Sequence, residues 1–122
     1  MLTDLSYAGR SHVGCSTTKA ALVSLAQSLG CRYAAHGVRC NAVIPGLIHT
    51  PLVARLAFEY NNGDYEGLVK QRGDQVPLKR MGTALEVAQA IAFLSSNEAS
   101  SYITGTSITV DGGLTALVGH GS

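Results

Sequence analysis

The longest apolar pattern in the sequence runs from residue 13 to residue 33, and it limits the folds that the chain can adopt. Its apolar side chains recur at three- and four-residue spacing, which predicts one long helix. These side chains are Leu22, Leu25, Ala26 and Leu29. Since most of the stability of a helix comes from packing its apolar face, other elements of the fold must cover this one.

The residues that follow predict an αβ unit of a parallel sheet. Gly37 is the left-handed residue that we expect to end the helical region. The β-branched run Val38–Ile44 predicts a strand, and Pro45-Gly46 ends it. Residues 107–110 predict a second strand, which Asp111-Gly112-Gly113 closes. Long helix, strand and turn in this order are typical of an α/β fold.

The chain between the two predicted strands is expected to be mainly helical. Residues 51–60 and 65–72 each predict a short helix, separated by a break at Asn61-Asn62-Gly63-Asp64. An insertion of this kind, late in an α/β fold, is where mobile substrate lids tend to lie. We therefore predict a substrate segment at residues 51–80.

Local signals also place the last helix and the tail. Thr83 and Glu86 are spaced as a capping box, so we expect a helix to start there and continue through Leu94. Ser96 is expected to cap one further turn. From Leu114 to Ser122 we expect loose order.

The length of the chain allows one domain at most, over residues 1–122, and the composition argues against several classes of function. The net charge is +1 and the nine basic residues are scattered, which argues against binding to nucleic acid or to a membrane surface. The three cysteines form no C-x-x-C pair, and the four histidines lack metal-ligand spacing, so we expect neither disulfides nor a metal. Neither a secretory leader nor an apolar run of about 18 residues is found, so we expect a cytoplasmic chain.

Four short motifs occur in order along the chain. Asn41–Thr50 fits "Asn-x-x-x-Pro-Gly-x-Ile-x-Thr", and Arg80–Ala88 fits "Arg-x-Gly-x-x-x-Glu-Val-Ala". Tyr102–Gly105 and Val110–Gly113 fit "Tyr-Ile-Thr-Gly" and "Val-Asp-Gly-Gly". Together they resemble the C-terminal portion of short-chain dehydrogenases/reductases. The resemblance implies an α/β fold, namely the C-terminal part of a Rossmann-like doubly wound parallel sheet with a helical substrate-loop insertion.

The resemblance also implies a nicotinamide cofactor, NAD or NADP, and positions that would hold it. Lys19 would bind the hydroxyls of the nicotinamide ribose. The backbone around Pro45, Gly46 and Ile48 would face the nicotinamide ring and its carboxamide. Thr50 would bond the carboxamide or the pyrophosphate. As the residue before a helical proline, Thr50 equally suits a helix N-cap, and both roles can hold at once.

A catalytic set is implied as well. Cys15 and Lys19 stand at the first and last positions of the family's Tyr-x-x-x-Lys motif, and residues four apart share one helix face. Lys19 would stabilise the ionised form of the neighbouring acid. Ser6 would polarise the reacting carbonyl or hydroxyl, although it precedes Cys15 by fewer residues than is usual. A plain loop serine is the alternative for Ser6.

Cys15 replaces the family's catalytic tyrosine. In the family a tyrosinate exchanges a proton with the substrate while hydride moves to or from the nicotinamide. A thiol ionises readily near a cation, but its sulfur lies closer to the backbone than a phenol oxygen does. Because proton transfer needs close approach, we expect Cys15 to be a poor substitute. The alternative interpretation of Cys15 is a buried small hydrophobe.

A second departure is the absence of a Gly-rich turn after a first strand, which binds the dinucleotide in this family. We expect the chain to be truncated and impaired on its own, with the missing half encoded upstream. If active, it would act on a small alcohol or carbonyl compound. The alternative is a non-catalytic dimerisation module. The helix side that carries Ala20, Leu25 and Ala26 would then pair with a second copy or with a related subunit.

Overall fold

The computed structural model describes residues 13–116, and the chain divides into two units. Of the described residues, the first unit contains 13–44 and 91–108, and the second contains 45–90 and 109–116. The division falls within the strands β1 (Ala42–Pro45) and β4 (Ser107–Val110). Each unit therefore holds one part of this strand pair.

The first unit is dominated by α1 (Val13–Arg32), which confirms the predicted long helix to within one residue. A 3₁₀ turn, Ala34–His36, follows α1 and ends at Gly37, whose φ of 73° is left-handed as expected. Gly30 is the point of closest packing. A Cβ atom added there would lie 2.6 Å from the Gly105 nitrogen and 2.9 Å from the Cys40 oxygen. Helix and neighbouring backbone thus approach at a distance that only glycine allows.

Most of α1 is uncovered in the first unit. Only Ala26 and Gly30 of this helix are buried. Leu22 is 52% exposed and Leu25 is 50% exposed. The prediction that Ala26 contributes to a partner surface is wrong, because Ala26 is buried within this chain, with 6% of its surface exposed. Ala20 and Leu25 of the same predicted surface are exposed.

The predicted strand Val38–Ile44 is wrong at its start, since β1 covers only Ala42–Pro45. Before Ala42, one backbone bond joins the two segments, from the Gly105 N–H to the Cys40 carbonyl at 2.8 Å, and side chains make the other contacts. The Cys40 N–H donates to Thr104 Oγ1 at 3.1 Å, and Asn41 Nδ2 donates to the Ile103 carbonyl at 3.0 Å. Asn41 Oδ1 also accepts from the Thr106 N–H at 3.2 Å. Regular pairing begins only beyond these contacts.

The strands β1 and β4 are neighbours in one sheet. In the first unit the Ala42 N–H donates to the Thr106 carbonyl at 2.9 Å. In the second unit the Gly46 N–H donates to the Val110 carbonyl at 2.9 Å. Four residues further along β1, the bonded carbonyl also lies four residues further along β4. The two strands therefore run parallel.

An arginine holds the carboxyl end of α4 (Ala84–Ser95) in the first unit. Arg39 Nη1 donates to the Leu94 carbonyl at 2.7 Å and to the Ile103 carbonyl at 3.2 Å. The last carbonyls of a helix have no partner within the helix. A cation at this end is also attracted to the negative end of the helix dipole. After α4, the Ser96 hydroxyl caps the single turn α5 (Asn97–Ser100), which confirms the predicted further turn.

The second unit is built around α2 (Pro51–Tyr60) and α3 (Tyr65–Gln75). The prediction of α2 is confirmed, and α3 extends three residues beyond its predicted end. The break between them is confirmed by positive φ at Asn62 and Gly63. The two helices share an apolar core with the residue before β3, formed by Val53, Ala57, Leu68 and Met81.

A two-residue parallel pair, β2 (Ile48–His49) with β3 (Gly82–Thr83), was not predicted. Strands this short show no alternation that a sequence pattern could reveal. The capping box directly after β3 is confirmed. Glu86 N–H donates to Thr83 Oγ1 at 3.2 Å, and the Thr83 N–H donates to Glu86 Oε2 at 2.7 Å.

The expectation of loose order from Leu114 is wrong for its first three residues, which form a 3₁₀ turn. The cause is Asp111, whose carboxylate accepts from the Thr115 N–H at 2.8 Å and from the Thr115 hydroxyl at 2.6 Å. Within residues 13–116, no helix has the length and apolar character that crossing a bilayer requires.

Candidate functional site

The Pro45–Thr50 segment is fixed from two sides in the second unit. At its start, Gly46 bonds to the end of β4, and a Cβ atom at Gly46 would lie 2.6 Å from Asp111 Cα. Further along, the Leu47 carbonyl accepts from the Gly82 N–H at 2.9 Å, and Ile48 pairs with Gly82 in the β2–β3 ladder. The segment therefore has a backbone position set by neighbours on both sides.

A cavity of about 260 Å³ borders this segment within the second unit. Leu47 and Ile48 form one part of its lining, and residues 109–113 at the end of β4 form another. Val76 and Leu78 complete the apolar lining. The cavity thus lies beside the carboxyl end of a parallel strand, where ligands bind in open α/β sheets.

Three charged residues line the same cavity, Arg80, Glu86 and Asp111, and the first two are paired with each other. Arg80 holds Glu86 through two bonds, Nη2 to Oε1 at 2.6 Å and Nη1 to Oε2 at 3.0 Å. The hydrogen bond from Arg80, followed by those from Thr83, lowers the pKa of Glu86 to about 2. Glu86 is therefore ionised at neutral pH and has a structural role, not that of a proton donor.

The Asp111 carboxylate is likewise held by hydrogen bonds, from Gly113 and Thr115. Partial burial on its own would raise the pKa of Asp111. The hydrogen bonds from Thr115 and from the Gly113 backbone oppose this effect, and the net pKa lies below the ordinary value. A carboxylate held by backbone donors stays ionised and orders the turn that it caps.

Thr50 is the N-cap residue of α2, but its hydroxyl makes no capping hydrogen bond to the first turn of that helix. The N-cap position is therefore confirmed, while the hydroxyl role that usually accompanies it is not. Thr50 is half-buried, and Pro51 at the first helical position already suits the helix start. The hydroxyl is thus free of a capping role in α2.

Cys15 and Lys19 lie on one face of α1 in the first unit, four residues apart, and both side chains are exposed. The interpretation of Cys15 as a buried small hydrophobe is wrong, because burial on α1 is confined to Ala26 and Gly30. Ser6, the third predicted catalytic residue, lies outside the described residues. The structure thus groups Pro45, Gly46, Ile48 and Thr50 in the second unit, and Cys15 with Lys19 in the first.

The sequence did not single out one contact beside this segment. His49, the variable residue of the "Ile-x-Thr" motif, has its Nε2 atom 2.5 Å from Tyr65 Oη. The two rings meet edge to face with centroids 5.8 Å apart. No local pattern links residues sixteen positions apart across an intervening helix, so the sequence carried no signal for this pair.

The chain is similar to known proteins over most of its length. Residues 5–115 match a family model described as enoyl-(acyl carrier protein) reductase. Oxidoreductase UcpA of Escherichia coli O157:H7 is 44% identical over 98 residues, which are 80% of this chain and 37% of UcpA. The chain belongs to the short-chain dehydrogenase/reductase family. The predicted resemblance is thereby confirmed over the residues for which it was drawn.

Solved structures of short-chain dehydrogenases/reductases share the α/β fold. Ligand-free aldohexose dehydrogenase of Thermoplasma acidophilum matches with a TM-score of 0.85 and 38% identity, over 98% of this chain and 47% of that one. L-sorbose reductase of Gluconobacter frateurii, complexed with NADPH and L-sorbose, matches with a TM-score of 0.77 and 33% identity. That match covers 84% of this chain and 40% of the reductase. The chain spans less than half the length of these relatives.

Proposed function

We propose that this chain carries the nicotinamide-facing part of an NAD(P)-dependent oxidoreductase that transfers hydride between the cofactor and an alcohol or carbonyl compound. The observation that carries the proposal is the Pro45–Thr50 segment, which is anchored on both sides beside a cavity at the end of a parallel strand. A rigid backbone at this position suits a planar ring that must be oriented for hydride transfer. The NADPH complex of L-sorbose reductase supports the choice of cofactor.

In this proposal, each predicted residue has one task. Thr50 offers its uncommitted hydroxyl to the carboxamide or the pyrophosphate, and the backbone at Pro45, Gly46 and Ile48 faces the nicotinamide ring. Lys19 binds the nicotinamide ribose, and Ser6 polarises the reacting group. Residues 51–80 form the substrate segment within a domain that includes residues 1–122. The bound cofactor supplies or accepts the hydride.

Cofactor binding is tested with a chimera, in which the part of L-sorbose reductase that precedes the matched region, taken from an enzyme solved with NADPH, precedes this chain. Thr50→Val removes a hydroxyl that does not cap α2, so the melting temperature should not change. NADPH affinity, followed by the fluorescence of bound NADPH, should fall about five-fold, the effect of one lost hydrogen bond. Thr83→Val is the matched control, because its hydroxyl does cap α4. It should lower the melting temperature and leave NADPH affinity unchanged.

The cofactor role of Thr50 is contradicted if Thr50→Val binds NADPH as well as the parent chimera does. It is also contradicted if both threonine variants lose affinity in proportion to their loss of stability. In that case the hydroxyl acts through the fold and not on the cofactor.

We further propose that the 122-residue chain on its own is impaired in turnover, with Cys15 as one cause. In the same chimera, Cys15→Tyr should produce NADPH-dependent reduction of L-sorbose, or oxidation of an aldohexose with NADP⁺ as the hydride acceptor, while Cys15→Phe should produce neither. The two variants differ by a single hydroxyl, so the difference isolates proton transfer from ring packing. Turnover by the cysteine form would contradict the impairment. A folded, NADPH-binding tyrosine form without turnover would contradict the oxidoreductase proposal for these substrates.

The second candidate is a non-catalytic dimerisation module, and the exposure of α1 favours it. Leu22 and Leu25 are each about half exposed, and both lie on the longest helix of the chain. A leucine pair left in water on a helix is typical of a surface that another chain covers. A homo-oligomer or a pairing with a related subunit fits this observation. Absence of turnover in the tyrosine chimera, together with concentration-dependent assembly of the chain, would favour this candidate.

A further inference from the structure

The contact between His49 and Tyr65 links the strand β2 to the start of the helix α3. His49 lies in β2, which pairs with β3 through the register His49↔Thr83 and follows the anchored Gly46. Tyr65 is the first residue of α3. The side-chain bond between them closes a loop that contains all of α2 and the turn after it. One end of that loop is thus fixed by backbone bonds, and the other by the Tyr65 side chain and by the packing of Leu68 in the core that α3 shares with α2.

The turn inside this loop reverses the direction of the chain between α2 and α3. Asn62 has φ of 51° and Gly63 has φ of 80°, so the chain reverses through two left-handed residues. The Gly63 N–H bonds back to the Ala57 carbonyl, and Asp64 caps α3 by accepting from the Gly67 N–H at 2.8 Å. The turn and both helix ends are therefore locally complete. The side-chain bond from Tyr65 to His49 joins the start of α3 to the Pro45–Thr50 segment.

We propose that His49 and Tyr65 form a latch that positions the α2–α3 segment, and that His49 is a positioning residue for the substrate side of the site. The bond joins Nε2 to Oη, and the edge-to-face ring contact orients both partners. Tyr65 is 38% exposed and His49 is exposed, so water can reach the bond and compete for both of its partners. Such a bond sets the opening of a segment more than the stability of the fold.

This inference rests on the proposed function only in assigning the segment to the substrate, and the latch itself can be tested without any activity. Hydrogen exchange on the full chain, read by mass spectrometry of peptides, reports the opening of residues 51–64 directly. Tyr65→Phe removes the hydroxyl and keeps the ring. His49→Phe keeps a ring edge and removes the nitrogen. Exchange across residues 51–64 should rise about five-fold in both variants, the effect of one lost hydrogen bond.

Two controls separate a latch from a general structural role. His49→Gln keeps a side-chain amide that can bond the tyrosine hydroxyl, so its exchange should return close to the wild-type rate. Tyr102→Phe removes a hydroxyl from a fully exposed tyrosine of the first unit and should change nothing. In all variants the amides of α4 should keep their wild-type exchange rates.

The latch is refuted if Tyr65→Phe leaves the exchange of residues 51–64 unchanged, or if exchange rises equally in α4. In an active chimera, loss of the latch should raise KM and leave kcat within two-fold, because only the position of the substrate segment changes. An equal fall in kcat and kcat/KM would refute the positioning role, since His49 would then act on the reacting atoms. If the Cys15→Tyr chimera binds NADPH but proves inactive, the oxidoreductase proposal fails for these substrates, while the exchange result still decides the latch.

Discussion

In the first unit, the twenty-residue helix α1 buries only Ala26 and Gly30, whereas in the second unit the ten-residue helix α2 buries Val53 and Ala57 in a core shared with α3. The number of buried residues is the same, although the lengths differ two-fold. The kind of contact also differs. The long helix is held where backbone meets backbone, and the short helix is held by interlocking side chains.

This difference shows that the length of a helix says little about how much of it a given chain can cover. In α1 the apolar residues Leu22 and Leu25 remain half exposed, although their spacing is as regular as that of a buried helix. In α2 the residue Val53 is only 1% exposed. The first unit should therefore respond most to an added atom at its one close contact. The second unit should respond to changes in the groups that fix its side chains.

The largest effect is expected from Gly30→Ala. A Cβ atom there would lie 2.6 Å from the Gly105 nitrogen and 2.8 Å from Thr104 Oγ1, and backbone cannot move aside cheaply. Overpacking of this kind should lower the free energy of unfolding by about 2 kcal/mol. Thermal and urea unfolding followed by circular dichroism would measure the loss.

Gly14→Ala is the matched control for Gly30→Ala, since it makes the same change on the same helix. A Cβ atom at Gly14 meets nothing within 4 Å among the described residues. Alanine is favoured over glycine inside a helix, so this variant should gain roughly 0.5–1 kcal/mol. If both variants gain stability, the close approach at Gly30 does not hold α1, and the contrast between the two units fails.

The two units also differ in how well the sequence predicted them, for a reason of distance along the chain. The capping box was predicted because Thr83 and Glu86 are three residues apart and their bonds depend on local backbone alone. The start of β1 was wrong because Asn41 bonds to residues more than sixty positions away. No local pattern reveals a partner at that separation.

The candidate site shows the same limit. The motif at Pro45–Thr50 was found because its residues are contiguous, and the family comparison confirmed the resemblance. The exposure of Cys15 and the bond between His49 and Tyr65 both depend on tertiary contacts. Residue type alone favoured burial for a cysteine, since free cysteine is among the most buried residues. The position of Cys15, two turns or more from the buried part of α1, overrides that preference.

A smaller effect, confined to acid pH, is expected from Glu86→Gln in the second unit. The hydrogen bond from Arg80 and those from Thr83 lower the pKa of Glu86 from 4.5 to about 2. A carboxyl whose pKa is lower in the folded chain stabilises that chain above the unfolded pKa. That stabilisation is lost as the pH falls from about 4.5 through about 2. The wild-type chain should therefore lose melting temperature over this interval, and Glu86→Gln should lose less.

Melting temperatures measured at intervals from neutral pH to pH 2 would test this expectation, with the exposed Glu98→Gln as control. The gap between wild type and Glu86→Gln should be widest above pH 4.5 and should close toward pH 2. The control should follow the wild-type curve. If the two melting temperatures differ by the same amount at every pH, the loss in Glu86→Gln comes from changed packing and hydrogen bonds. The charge of Glu86 would then not stabilise the second unit. Because the side chains of Arg80 and Glu86 are 53% and 37% exposed, water screens the pair, and this charge effect should remain smaller than the backbone clash at Gly30.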